Sequence, residues 1–136
     1  ALTATDLSQD MSSVLLAALD GRPADAHNAL DRLNEAGTSP ISILRALQME
    51  TQRVLSAHEK VAGGDPNPGR SLRPPVWQNE WPAFRSRMNT WTPKRLMRIL
   101  ERIHDAERQA KTAGPSAEPI VRLLINDLVR VAEAVR

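Results

Sequence analysis

Every aromatic ring of this chain apart from its histidines falls in one short stretch: Trp77, Trp81, Phe84 and Trp91. Arginines are threaded through it at Arg85 and Arg87. More cations follow at Lys94, Arg95, Arg98 and Arg102, which recur on one side of a single helical repeat. Flat rings beside guanidinium groups can grip a single-stranded nucleic acid, the cation meeting phosphate and the ring stacking on a base. A competing account needs no ligand. Glu101, Asp105 and Glu107 neutralise the same helix, and the rings serve as core. A charge run is usually a solvated face, so this second account is the expectation. Trp91 already has a structural role available. It stands just before Thr92-Pro93, at the position where a hydrophobic staple would pack on Leu96.

Other chemistries find little footing. His27, His58 and His104 lie on three different predicted helices, with no serine or cysteine arrangement that asks for nucleophilic catalysis, and solvated histidines are expected. His104 with Asp105 and Glu107 lacks the Glu-x-x-His spacing of di-iron bundles, and no second copy exists. Phosphate-cradling glycine motifs are missing too, because Gly63, Gly64 and Gly69 sit in a proline-rich segment with no strand before it. No catalytic, metal or cofactor site is therefore expected in the chain.

Helices must position these residues, since nothing in the sequence alternates as a strand does. A first helix is predicted from about residue 6 to 19, with Thr5 or Asp6 as its cap and Asp20-Gly21 as its end. A second starts at Pro23, buries Ala26, Ala29, Leu30 and Leu33, and stops at Gly37; the tight turn between the two predicts an antiparallel hairpin. Ser39-Pro40 starts a long third helix to about Ala62, with Ile43, Leu44, Leu47, Val54, Leu55 and Val61 on its inner stripe. Gly63–Pro75 then reads as a loop, mobile over 63–69, before Pro74-Pro75 imposes extended backbone. A short turn at 77–80 leads to a helix over about 81–90. The next runs over 93–112, with Leu96, Ile99, Leu100, Ile103 and Ala106 inward. Ser116 is the predicted cap of a last helix, about 117–135. Its apolar set, from Ile120 to Val135, is wider than the stripe of a surface helix, so it is either central or shared with a partner.

Composition agrees with one all-α domain spanning residues 1–136. The chain has 136 residues, 41% of them hydrophobic, which is enough for a core without disulfides or metal. It has no cysteine, which fits a reducing cytosol and excludes thiol chemistry. A net charge of +2 and a pI near 9.7 permit contact with nucleic acid without implying it. No apolar run is long enough for a membrane span, and the polar opening ALTATDLSQD has no signal-peptide character and reads as the interior of a longer polypeptide.

Three runs carry a resemblance. SPISILRALQMETQRVLSAH directly follows Gly37-Thr38, so that Gly37–Pro40 makes a Gly-x-x-Pro helix start, and it holds an L-R-A-L-Q segment. RPPVWQNEWPAFRSRMNTWTPKRLMRIL follows the loop, with R-P-P, a nearby aromatic and a tryptophan before a hydroxyl cap. AERQAKTAG ends in Lys111-Thr112. In order and spacing, over about 37–131, these resemble the C-terminal collar domain of the delta subunit of the bacterial DNA polymerase III clamp loader. Membership would imply a compact bundle of about six helices that oligomerises with the gamma/tau and delta-prime subunits in DNA replication. The AAA+-like N-terminal domains, through which the sliding clamp is bound, would lie outside this sequence. The collar would have no active site or cofactor of its own, and the location would be cytoplasmic. DNA contact is possible, but the loop at Lys111 has no aromatic for stacking.

The expectations are then specific. Subunit contact falls on Leu124, Leu128, Val131 and Val135 of the last helix. Partner or DNA contact falls on Arg95, Arg98, Arg102 and Lys111. Arg73, Pro74, Pro75, Trp77 and Trp91 form a structural clasp that locks the third helix to the last pair. The alternative is a stand-alone helical protein that binds nucleic acid by the basic face of residues 93–112.

Overall fold

The computed structural model describes residues 3–135. Six long helices, one single-turn helix and one 3-10 turn make up the described residues, with no strand among them. They are α1 (Ala4–Asp20), α2 (Pro23–Glu35), α3 (Pro40–Ala62), the single turn α4 (Pro68–Ser71), α5 (Trp81–Thr90), α6 (Pro93–Ala113) and α7 (Glu118–Val135). The bundle class and its helix order agree with the periodicity.

Local signals explain most boundaries. Thr3, rather than Thr5 or Asp6, caps α1, and Asp6 closes a capping box by accepting from the Thr3 N–H at 3.1 Å. Gly37 adopts φ +78 after α2, so Thr38 can donate to Leu33 O at 2.9 Å, a Schellman end that a residue with a Cβ would strain. Thr92 caps α6 as expected, accepting from the Arg95 N–H. Two hydroxyls differ from expectation. Ser39 makes no side-chain cap bond, and Pro40 alone fixes the start of α3. Ser116 lies inside the 3-10 turn Gly114–Ala117, which delays the last helix to Glu118.

α1 and α2 form the antiparallel hairpin, with Asp10 bonded to Arg32 at 2.8 Å across it. α3 runs against α6 in the opposite sense, shown by Arg45–Glu107 and Gln48–His104. α7 packs on α1, α2, α3 and α6, so its wide apolar surface is that of a central helix. Val121, Leu124, Ile125, Leu128, Val129 and Ala132 are its buried residues. On α3, Val61 is 52% exposed and leaves the predicted stripe, while Thr51 enters it with its hydroxyl bonded to Leu47 O. A polar lattice joins α2 to α7: His27 to Asn126 at 2.6 Å, Arg122 to Asp31 at 2.6 Å and to His27 Nδ1, and Asn34 to Glu118 at 3.0 Å. Burial works against the Arg122 charge, but the Asp31 and Glu118 carboxylates outweigh it and hold the guanidinium above its ordinary pKa. No helix among the described residues is long and apolar enough to cross a membrane.

Candidate functional site

The aromatic stretch divides. Trp91 is fully buried, and its indole N–H donates to Leu19 O at 2.7 Å, which ties the α5–α6 joint to the end of α1. Phe84 is buried as well. Arg53 and Arg87 lie over its ring, 5.3 and 5.9 Å from the centroid, and Trp81 stacks on it at 5.8 Å. Arg87, 5% exposed, is held there by a two-point pair with Asp20 at 2.8 and 3.0 Å. Trp77 is the opposite case, at 65% exposed. A mostly exposed indole has an apolar body free to stack on a ligand.

Trp77 stands at the rim of a groove of about 860 Å³ between the end of α3, the 65–77 segment and α5. Val61, Pro66, Pro68, Val76, Trp81 and Met88 give it apolar walls, and Arg70, Arg85, Asn67, Gln78 and Asn89 give it polar donors. None of its lining residues is acidic. The guanidinium groups of Arg70 and Arg85 make no hydrogen bond or ion pair among the described residues. His58 donates from Nε2 to both Met88 O (3.1 Å) and Trp91 O (2.8 Å), which satisfies carbonyls at the C-terminus of α5. Gly69 lets α4 approach the wall: a Cβ there would meet Trp81 Cε3 and Val76 O at 3.3 Å.

The segment expected to be mobile folds around one carboxylate. Asp65 accepts from the Ser71 hydroxyl at 2.7 Å and from the Asn67 N–H at 2.8 Å. The Ser71 hydroxyl first, and the Asn67 N–H second, hold its pKa below the usual aspartate value. The Arg73–Pro74 peptide bond is cis.

Several expected site residues need correction. Leu124 (3% exposed) and Leu128 are core residues, because the width of the α7 face serves α1, α2, α3 and α6, so neither is free to meet a subunit. The outward stripe of α7 is Ile120, Leu123, Val131 and Val135, of which Leu123 is 62% exposed. Val131 and Val135 thus stay on it, half-buried and exposed. Arg102 pairs with Asp127 and so registers α6 beside this stripe. Arg95 turns back to Thr90 O at 2.9 Å, and Lys111 pairs with Glu107 at 3.8 Å. Only Arg98 of the four expected contact cations has a guanidinium or ammonium without a partner among the described residues.

The clasp is also differently made. Trp77 and Arg73 point outward, and Arg73 bonds only to the nearby Arg70 and Leu72 carbonyls. Pro74 and Pro75 are held through their carbonyls by Arg53 of α3. Trp91 is tied to α3 through His58 and also to α1 through Leu19 O. Sequence reasoning missed the anchoring roles of Arg53, His58 and Arg87, because each acts on a partner 21–67 residues away. The histidines are likewise not simply solvated, since each bonds to another helix or to its C-terminal end. Among the described residues no three His, Asp or Glu side chains are grouped to hold a metal ion. Compared with known proteins, the chain has no significant match to a family model, a curated protein or a solved structure.

Proposed function

We propose that this chain is an assembly module of the clamp-loader collar type, joining the gamma/tau and delta-prime subunits in replicative clamp loading. The sequence resemblance supplies the class, and the observation that carries it structurally is the outward stripe of α7. Ile120, Leu123, Val131 and Val135 lie along one side of a helix whose other side is already buried in its own domain. Leu123 and Val135 are exposed, Ile120 and Val131 half-buried, and Asp127, paired with Arg102, lies on the same side; apolar side chains set beside charge suit a subunit contact. The sliding clamp would be reached only through the part of the subunit outside this sequence. The test is co-purification with the gamma/tau and delta-prime collar domains, with Leu123→Asp as the interface variant and its helicity checked by circular dichroism.

A second reading is favoured by a separate observation, the acid-free groove with an exposed Trp77. It fits single-stranded nucleic acid, with a base stacked on the indole and phosphates at Arg70 and Arg85. The two readings are compatible, since they use different surfaces of the domain. The groove replaces the basic face of α6 as the preferred nucleic-acid surface, because Arg95 and Arg102 of that face are already bonded within the domain. Fluorescence titration of the chain with oligothymidylate, repeated over a range of salt, tests it. Quenching with a steep salt dependence supports the reading, and no response at low salt removes it.

A further inference from the structure

Arg53 does not line the groove, yet it touches what shapes it. Its Nε donates to Pro74 O at 2.9 Å, and its Nη2 to Pro75 O at 3.2 Å. Its Nη1 is held by Glu50 at 3.2 Å, and its guanidinium carbon lies 5.3 Å from the centre of the Phe84 ring. Only 15% of the Arg53 side chain is exposed. One planar, always charged group therefore fastens the extended strap before Trp77 and supports the ring on which Trp81 stacks. A lysine has neither the fork nor the plane to do both. The strap needs such a fastening, because two consecutive prolines offer no N–H of their own to bond back to α3.

We propose that Arg53 is the positioning residue of the groove: it presets the rims carrying Trp77 and Trp81 so that a single strand meets a formed surface, without contacting the strand itself. This rests on the nucleic-acid reading above. Its physical content is preorganisation. Without the fork, the strap would be ordered only on binding, and that ordering would be subtracted from affinity.

Salt dependence separates positioning from direct contact. Each phosphate neutralised on a single strand adds about 0.7 to the slope of log affinity against log salt. Oligothymidylate is titrated into the whole chain and into Arg53→Lys, Arg53→Met and Arg85→Met, after thermal melting has shown each to be folded. The proposal expects both Arg53 variants to weaken binding on the order of tenfold with the slope unchanged. Arg85→Met should weaken binding and lower the slope by about 0.7. If Arg53→Lys binds like the original chain, or if Arg53→Met lowers the slope as Arg85→Met does, the positioning role is wrong. Were an Arg53 variant to fail to fold, the same titration would be made on Glu50→Gln, which loosens the fork while keeping the guanidinium; unchanged affinity there would likewise overturn the proposal. Failure of the original chain to bind any oligonucleotide would instead defeat the nucleic-acid reading itself.

Discussion

At the scale of single residues, three tryptophans of one short stretch have three different physical roles. Trp91 is a buried indole with its one donor satisfied by Leu19 O. Trp81 is half-buried and fixed by Phe84. Trp77 is mostly in water. The roles predict opposite behaviour on truncation. Trp91→Ala should cost about 3–5 kcal/mol in urea unfolding, through lost transfer energy and a cavity. Trp77→Ala should fall within about 0.5 kcal/mol of the original, since it removes no core contact, and should reduce the fluorescence response to oligothymidylate to that of Trp81, which also lines the groove. Asp65 gives a prediction in pH. Its pKa is depressed in the fold, so its contribution is present above the ordinary aspartate value and is lost as pH falls through the lower, folded value. A carboxyl NMR titration should find it below the usual aspartate value, and Ser71→Ala should move it back up, since that hydroxyl is the largest cause.

At the scale of elements, side-chain anchors fasten what short-range signals leave loose. Periodicity and caps placed the long helices, and α3 runs over Pro40–Ala62 as predicted, because proline and glycine punctuate the backbone locally. The same logic found Gly37 as the end of α2 and Thr92 as the cap of α6. It could not find the Asp20–Arg87 pair or the Arg53 fork, since neither partner carries a mark of the other in the sequence. Nor could it place Leu124 and Leu123 on opposite sides of the boundary between core and surface, because the apolar residues of α7 cover more than one stripe and only the arrangement of its four neighbours decides. Asp20→Asn should destabilise by roughly 2–3 kcal/mol, less than for a fully enclosed pair because Asp20 is partly in water. Arg87 would be left buried with its charge poorly matched. The loss would appear as a lower midpoint with an unchanged slope in urea.

At the scale of the whole molecule, two surfaces on different helices remain unexplained by the fold's own needs. One is the apolar stripe of α7; the other is the groove between α3, the proline segment and α5. Their separation predicts independent losses, because residues with no shared partners act additively. Leu123→Asp should reduce subunit association without altering oligonucleotide binding, and Arg85→Met should do the reverse. Leu128→Asp should do neither selectively, because a carboxylate in the fully buried centre unfolds the domain. The most direct test of assembly is size-exclusion co-elution of the chain with the gamma/tau and delta-prime collar domains at micromolar concentration. Co-elution that is lost with folded Leu123→Asp is the predicted result. A well-folded chain that elutes alone beside both partners would contradict it.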